Sequence, residues 1–192
     1  TVTDLSAPDA SKTVANACKK LTGRVDILVT NAGIIHREDA VNVTEANWDL
    51  VTNLNEKLVF FMSQAMTNEF FIPQGGGKII NIASMLSFQG GIRVPSYTAS
   101  KSAVMGLTKA LANEWASLNI NVNAIAPGYM ATNNTTALRQ DSDRNDAILC
   151  RIPAGRWGTS DDLMGAAVFL ASDASSYVNG FTLAVDGGWL AR

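Results

Sequence analysis

The sequence predicts an α/β protein built on a doubly wound parallel sheet with helices on both faces, in three α/β/α layers. Two observations lead to this fold class. Short apolar runs rich in valine and isoleucine alternate with longer segments of helical pattern. Polar, glycine-containing segments follow three of the apolar runs, at the sheet edge where such folds bind ligands. With 192 residues, the chain is expected to form one domain spanning 1–192.

The apolar runs define the predicted strands. Buried strands are predicted at 25–30 (VDILVT), 77–83 (GKIINIA), 120–126 (INVNAIA) and 181–188 (FTLAVDGG). Residues 1–5 (TVTDL) are interpreted as the end of a further strand.

The intervening segments are predicted to be helices, and four of them stand out. They lie at 7–23, 44–71, 96–119 and 160–172. Gly23 is a plausible C-cap of the first. The segment 44–71 reads as one long helix after a short first piece.

Composition excludes several classes of protein. Lysine plus arginine is 15 and aspartate plus glutamate is 17, so no basic surface predicts a nucleic-acid partner. No apolar run is long enough to predict a membrane span. The cysteines Cys18 and Cys150 are far apart, with no Cys/His cluster, so no metal site is predicted. A reducing, cytoplasmic location is expected.

A tyrosine and a lysine in YTASK carry the strongest candidate chemistry. Tyr97 and Lys101 are four residues apart, which places them on one helix face. A nearby ammonium group stabilises a phenolate, so Lys101 is expected to lower the pKa of Tyr97. Ser84 ends the preceding strand, where its hydroxyl can orient a substrate oxygen. Together the three can move a proton to or from an alcohol while a cofactor carries hydride.

Alternatives to this interpretation are weaker. An isolated Tyr-x-x-x-Lys pair is commonly structural, but NAG (31–33) and PGYMAT (127–132) follow neighbouring strands. A hydrolytic triad would have to use His36, the one histidine, and no G-x-S-x-G turn is present. An acyl-enzyme hydrolase using Thr98 with Lys101 lacks the other motifs of that chemistry.

Taken jointly, six motifs resemble those of the short-chain dehydrogenases/reductases, a family with a Rossmann-like fold. They are NAG (31–33), Asn55 in NWDLVTNLNEKLVFF, Ser84, YTASK (97–101), NVNAIAPGYMAT (121–132) and VDGG (185–188). The resemblance covers essentially the whole chain. It implies an NAD(P)-dependent oxidoreductase, and commonly a homotetramer formed through the helices at 44–71 and 96–119 and the C-terminal segment.

The resemblance implies a catalytic tetrad of Asn55, Ser84, Tyr97 and Lys101. Tyr97 would be the general acid/base, Ser84 would hold the substrate oxygen, and Asn55 would hold a water in the proton relay. Lys101 would lower the tyrosine pKa and bind the nicotinamide ribose. Asn53 is the alternative to Asn55, and Glu56 stands where the family usually has an aliphatic residue.

The family's cofactor contacts can be carried over onto this chain, with NAD expected and NADP not excluded. The implied cofactor residues are Asp4, Asn31, Ala32, Gly33, Tyr97, Lys101, Pro127, Gly128, Met130 and Thr132.

Further motifs, including RIPAGRWG and AVDGGWLAR, resemble the sugar-acid branch of the family. This implies hydride transfer between NAD(P) and a hydroxyl or ketone of a deoxy-sugar acid. A carboxylate substrate needs a cation, for which Arg37 and Arg93 are candidates, although either could instead form a surface ion pair. Besides Ser84, candidates for lining the pocket are Gln89, Asn133 and Asn134, because amide side chains suit hydroxyl groups. Trp189 could also line it but is interpreted as an interface residue.

The family's glycine-rich turn, TG-x-x-x-G-x-G, does not occur in the sequence. We therefore expect a chain without the first two strand–helix units, roughly 60 residues. Residues 1–5 would then match the family's third strand, and the edge of 25–30 would be open. Such a chain is expected to bind NAD poorly. An alternative function is that of a truncated, catalytically impaired homologue with an assembly or binding role.

Overall fold

In the computed structural model, which describes residues 2–192, four parallel strands form one sheet in the order β1-β2-β3-β4. The strands are β1 (Ile27–Thr30), β2 (Gly77–Ile82), β3 (Ile120–Pro127) and β4 (Thr182–Val185). All three pairings are parallel, with Val29 opposite Ile80 and Ala124 opposite Thr182. The four strands predicted from the apolar runs are therefore confirmed, each within a few residues. Their predicted burial is confirmed for β2 and β3 and is wrong for β1, which is half exposed.

Helices connect the strands. The α-helices are α1 (Ala10–Leu21), α2 (Glu45–Thr52), α3 (Leu58–Met66), α4 (Ile72–Gln74), α5 (Pro95–Trp115), α6 (Thr136–Gln140), α7 (Ser142–Arg151) and α8 (Met164–Ala171). Short 3₁₀ turns lie at 40–42, 85–87, 116–118, 133–135, 160–163, 173–175 and 189–191. Within residues 2–192, no helix combines the length and the apolar character that a membrane crossing needs.

The helices cover both faces of the sheet because alternate strand residues point in opposite directions. On one face, Ile79 and Val122 pack with Met66, Phe71 and Leu111 of the helical segments. On the other face, Ile80 and Ile125 pack with Leu170 of α8. This arrangement is the expected three-layer α/β/α sandwich.

Two buried amide side chains inside the sandwich are hydrogen-bonded to neighbouring elements. Asn81 on β2 accepts a hydrogen bond from Thr30 on β1 at 2.8 Å and donates one to Thr108 on α5 at 3.0 Å. Asn123 on β3 donates to the Val178 carbonyl at 2.7 Å and so anchors the loop before β4. Because a buried amide costs free energy unless it is bonded, these contacts fix the register of strands and helices.

The long helix predicted at 44–71 is helical throughout, but it is not a regular α-helix. Two π-helical turns, Asn53–Lys57 and Thr67–Phe71, separate α2, α3 and α4. Thr44 caps the start, where its hydroxyl accepts the Asn47 amide at 3.2 Å. The first π turn contains Asn55, which places an irregular turn at a predicted catalytic residue, as is common for π turns.

Two further expectations were wrong or incomplete. Residues 2–4 have no regular structure and Leu5 lies in a turn, so the strand predicted at 1–5 is wrong for these residues, and residue 1 lies outside the described part. The Asp4 carboxylate instead accepts from the Ser6 amide at 2.9 Å, which favours a turn. Helices α6 and α7 had no counterpart in the prediction, because Ile148 is their one buried residue and no apolar stripe marks them.

Strand β1 forms an open edge of the sheet, as expected for the segment 25–30. Ile27 and Val29 point to the face that lacks a covering helix, and their exposed fractions are 42% and 51%. On the covered face, Leu28 packs under α1 and α3. Between these elements lies an apolar groove of about 410 Å³ whose walls include Leu5, Val14 and Met62.

Candidate active site

Ser84 stands where β2 ends and a 3₁₀ turn begins. It is 7% exposed, and its hydroxyl accepts a hydrogen bond from the Leu86 amide at 3.1 Å. The Ser87 hydroxyl accepts from the Ser84 amide at 3.3 Å and donates to the Lys101 carbonyl at 2.5 Å. The end of β2 is thereby fixed to helix α5, one turn from Tyr97.

Helix α5 carries Tyr97 and Lys101 into the same site. Pro95 occupies its first turn, where a missing amide hydrogen is tolerated. The ammonium of Lys101 is buried and donates to the Ile82 carbonyl at 2.6 Å. It lies 5.8 Å from the centre of the Tyr97 ring.

Burial controls the proton affinities of both side chains. Desolvation lowers the pKa of Lys101 from 10.5 to about 8, because a buried ammonium loses its hydration. Burial raises the pKa of Tyr97 above 10, although hydrogen bonding with Ser84 and the positive charge of Arg37 oppose the rise. The expected lowering of the Tyr97 pKa by Lys101 is therefore not seen in this arrangement.

Asn55 is fully buried and bonded to the loop that follows β1. Its carbonyl oxygen accepts the Ile34 amide at 2.9 Å, and its amide donates to the Ile34 carbonyl at 2.8 Å. The same amide group lies 3.3 Å from the Ser100 hydroxyl on α5. Asn53, the alternative, is exposed. The structure therefore joins Asn55, and not Asn53, to the helix that carries Tyr97 and Lys101.

The predicted cofactor residues Asn31, Ala32 and Gly33 follow β1 as an exposed, irregular segment. A side chain on Gly33 would come within 3.1 Å of the Asn55 carbonyl oxygen and 3.7 Å of the Lys101 nitrogen. Glycine therefore keeps the space beside both groups open. Only one donor of the Lys101 ammonium is used within the described residues, which leaves donors for ribose hydroxyls. The residues at this end fit a nicotinamide nucleotide.

The last residue of β3 and the segment after it contribute the predicted residues Pro127, Gly128, Met130 and Thr132. Gly128 packs against a neighbouring strand end, since an added Cβ would lie 2.5 Å from the Asp186 Cα. Met130 is buried against Gly158, and Thr132 caps a short 3₁₀ turn. The glycine here serves close packing of backbone on backbone.

Asp4, also predicted to bind cofactor, is exposed near the N-terminus and bonded to Ser6 by two hydrogen bonds of 2.9 and 2.7 Å. These bonds lower the pKa of its carboxyl group. Nothing in residues 2–192 connects it to the Tyr97 site by a hydrogen bond or ion pair.

The predicted substrate residues have different surroundings. Arg37 donates to the Asn134 carbonyl at 2.9 Å, which ties the loop after β1 to the one after β3. Arg93 pairs with Asp39 at 3.0 Å, which is the surface ion pair considered as an alternative. Gln89 accepts a hydrogen bond from Arg151 at 3.1 Å, and Asn133 is exposed beside Asn134.

A family model described as enoyl-(acyl carrier protein) reductase matches residues 1–190. A protein of Dickeya dadantii named 2-dehydro-3-deoxy-D-gluconate 5-dehydrogenase is 74% identical over 170 residues, which are 88% of this chain and 67% of that protein. The chain belongs to the short-chain dehydrogenase/reductase family. Its family resemblance, noted from the motifs, is confirmed.

Further members of this family are similar over a longer span. A Bacillus subtilis protein, also named 2-dehydro-3-deoxy-D-gluconate 5-dehydrogenase, is 59% identical over 190 residues, 98% of this chain and 74% of that protein. The crystal structure of a gluconate 5-dehydrogenase from Burkholderia cenocepacia in complex with NADP and tartrate has a TM-score of 0.95 at 40% identity. That match covers 100% of this chain and 74% of the other.

Two polar residues at this short-chain dehydrogenase/reductase site were missed in the sequence. Ser100 bonds Asn55, and Ser87 holds the carbonyl of Lys101. Ser100 is three residues after Tyr97, and such spacing places residues on one helix face, so it could have been found. Ser87 lies in a 3₁₀ turn with no periodic signal.

Proposed function

We propose that this chain carries the catalytic centre of an NAD(P)-dependent oxidoreductase that interconverts a hydroxyl group and a ketone on a deoxy-sugar acid. The observation that carries the proposal is the convergence of Tyr97, the Ser84 hydroxyl and the buried Lys101 ammonium. The names of the Dickeya and Bacillus relatives support a substrate of the 2-dehydro-3-deoxy-D-gluconate type, with 2-deoxy-D-gluconate as the related alternative.

Proton transfer would be the task of Tyr97. Because burial raises its pKa, the phenol is protonated at neutral pH and can donate its proton to the ketone oxygen during reduction. In the oxidation direction the phenol proton would first leave through a water relay, and the same oxygen would then take the proton from the alcohol. The Ser84 hydroxyl would orient the substrate oxygen, and Asn55 would hold a water that relays the proton. Lys101 would bind the ribose.

NAD(P), when bound, supplies or accepts hydride at the carbon that carries this oxygen. The residues that would hold its nicotinamide end are Asn31, Ala32, Gly33, Tyr97, Lys101, Pro127, Gly128, Met130 and Thr132. Asp4 is proposed at the adenine end. Residues 2–192 contain no glycine-rich turn between a strand and a helix, so no phosphate-binding residue is proposed.

We propose NAD as the preferred cofactor, with NADP as the alternative. The Burkholderia gluconate 5-dehydrogenase is named as a complex with NADP, which supports the alternative. The ratio of kcat/KM values for NAD and NADP, measured with the same sugar acid, decides between them. A ratio that favours NADP would overturn the preference for NAD.

The substrate would contact four further residues. Arg37, whose charge acts on the Tyr97 hydroxyl, is proposed at the reacting end of the pocket. Gln89 and Asn133 are proposed to bind substrate hydroxyls. Arg93 could take part only after leaving Asp39, with which it pairs at 3.0 Å.

The experiment that tests the catalytic proposal is Tyr97→Phe in the full chain. Removing the phenolic hydroxyl should reduce kcat for NAD(P)-linked sugar-acid turnover by about 10²- to 10⁴-fold, the usual contribution of a general acid/base. Tyr177→Phe, at a fully exposed position, is the matched control and should retain activity. A Tyr97→Phe protein that folds and keeps its activity would contradict the mechanism.

We also propose that residues 1–192 act as one domain of a homotetramer in the cytoplasm. Large apolar side chains exposed on α2 and α3, Trp48, Leu50 and Phe61, support burial of this surface in an assembly. The free thiols of Cys18 and Cys150 suit a reducing compartment. Light scattering of the purified protein tests the stoichiometry, and a monomer at micromolar concentration would contradict it.

A second candidate function is assembly or binding without catalysis. The exposed apolar side chains of Ile27 and Val29 at the edge of β1 favour it, since such an edge can pair with a partner chain. A measurement of NAD(P)-linked turnover discriminates between the two functions, since a non-catalytic assembly protein would show no turnover with either cofactor and any sugar acid.

A further inference from the structure

The guanidinium of Arg151 is held in place by Trp189 and Gln89. Arg151 is the last residue of α7, and its guanidinium lies 3.9 Å from the centre of the Trp189 ring. One nitrogen of the group, Nη2, donates to the Gln89 side chain at 3.1 Å. Stacking and one hydrogen bond together set the plane of the guanidinium, while the residue stays exposed.

Trp189 follows β4 and packs against the segments that follow β2 and β3. Trp189 is 4% exposed and packs in a cluster with Met85, the residue after Ser84. The ring of Tyr129, from the segment after β3, lies 4.7 Å from the Trp189 ring, edge to face. The guanidinium of Arg151 is thereby positioned at the same sheet edge as Ser84.

Three arginines near Tyr129 have no ion pair among residues 2–192. In residues 2–192, Arg24, Arg93 and Arg156 have aspartate partners within 3.0 Å. Arg37, Arg144 and Arg151 have no carboxylate partner in that part of the chain, although their charges all act on the Tyr129 hydroxyl and oppose the rise of its pKa by burial. A planar guanidinium with unused donors matches a carboxylate, which it can bind through two parallel hydrogen bonds.

Distance along the substrate separates the roles of the arginines. The relatives' named reaction is at carbon 5, four bonds from the carboxylate carbon. The charge of Arg37 reaches the hydroxyl of Tyr97, where the reacting oxygen would bind, whereas the guanidinium of Arg151 is held against Trp189, whose ring contacts Tyr129. Arg151 is therefore the better placed cation for the far end of the substrate.

We propose that Arg151 determines specificity by binding the substrate carboxylate, with Trp189 and Gln89 holding its guanidinium in position. This inference rests on the proposed function and names the residue by which the site would select a sugar acid over an uncharged sugar. Arg93, already paired with Asp39, is not needed for this role.

The test is Arg151→Gln in the full chain, with two substrates: the sugar acid and its primary amide, which has the same carbon skeleton and no charge. A lost hydrogen bond between charged groups should raise KM for the acid by about 10- to 100-fold, with little change in kcat. The kcat/KM for the amide should stay the same. Arg151→Lys, which keeps the charge and loses the fork, should fall between, and Arg24→Gln is the control at a distant ion pair.

Titration calorimetry with gluconate gives a second measurement, the dissociation constant, which needs no turnover. Equal losses for the acid and the amide, or no loss for either, would overturn the role of Arg151 while leaving the proposed function intact. A parent protein that neither binds gluconate nor turns over any sugar acid would overturn both.

Discussion

The two sides of the sheet differ in how completely they are built. On β2 and β3, side chains on both faces are buried, and hydrogen bonds hold Ser84 and Lys101 within this half, which carries the proposed catalytic residues and is called the catalytic half. Strand β1 is covered on one face only, and Asn31–Gly33 extend from it into solvent. The comparison teaches that Ser84 and Lys101, which we propose for proton transfer, are held without contacts from the edge of β1. The proposed NAD(P) binding, by contrast, would depend on what covers that edge.

Asn55 is the link between the two sides, so its removal should have the largest effect on stability. Asn55→Ala would leave the Ile34 amide and carbonyl without their partner, and we expect the free energy of unfolding to fall by about 2–4 kcal/mol. Denaturant titration measures it. Asn53→Ala, at an exposed position of the same π turn, should change stability by less than about 0.5 kcal/mol. Equal losses of stability in the two variants would contradict the role of Asn55 in joining the two sides.

Lys101 should give the catalytic half a characteristic pH dependence. Its pKa is about 8 in the folded chain and near 10.5 when unfolded, so the unfolded state binds more protons between these pH values. The free energy of unfolding should therefore rise with pH across that window, by up to about 3 kcal/mol.

Comparison with Lys101→Met isolates this contribution. The stability difference between the parent and Lys101→Met should be constant below pH 8 and should shift in favour of the parent from pH 8 to 10.5. Lys109→Met, at an exposed site of the same helix, is the control. A pH-independent difference for Lys101→Met would mean that the ammonium is not desolvated.

Gly128 tests the close packing of backbones where β3 and β4 end. Because an added Cβ would lie 2.5 Å from the Asp186 Cα, Gly128→Ala should lower the free energy of unfolding by about 1–3 kcal/mol. Gly90→Ala, which meets no atom within 4 Å, is the matched control for the loss of glycine itself. Similar thermal unfolding of the two variants would contradict close packing at Gly128.

Val29 tests the open edge, and here the expected effect on stability is the smallest. Val29→Lys places a charge on a half-exposed apolar edge, so self-association should decrease while the free energy of unfolding changes by less than about 0.5 kcal/mol. Light scattering against concentration measures it. Val41→Lys, at an exposed site outside the sheet, is the control. An equal decrease in self-association there would mean that the added charge, and not the position on the sheet edge, causes the effect.

The sequence was most informative where burial imposes a pattern. The apolar runs at 77–83 and 120–126 became the buried strands β2 and β3, because strands covered on both faces must be apolar throughout. The Tyr97–Lys101 spacing correctly placed both side chains on one face of α5. Helix α7 could not be found this way, since it buries one residue, Ile148.

The electrostatics of the site could not be predicted from spacing. A lysine one turn away suggested a lowered tyrosine pKa, but the depth of burial, which sequence does not give, reverses the direction. Arg151 was missed because its partners, Gln89 and Trp189, lie 62 residues before it and near the C-terminus. Likewise, the pairing of Arg93 with Asp39 joins two loops that are adjacent only in the folded chain.

The two π turns in the segment 45–74 also have a consequence for helical phase. Six buried residues recur at intervals of four: Val51, Asn55, Val59, Ser63, Thr67 and Phe71. In a regular α-helix each step of four residues advances by about 40° too far, so five steps would carry Phe71 about 200° from Val51. Each π turn absorbs one extra residue, about 100°, and two of them cancel the drift. Deleting one residue from either turn would straighten the helix and rotate one of its ends out of the core.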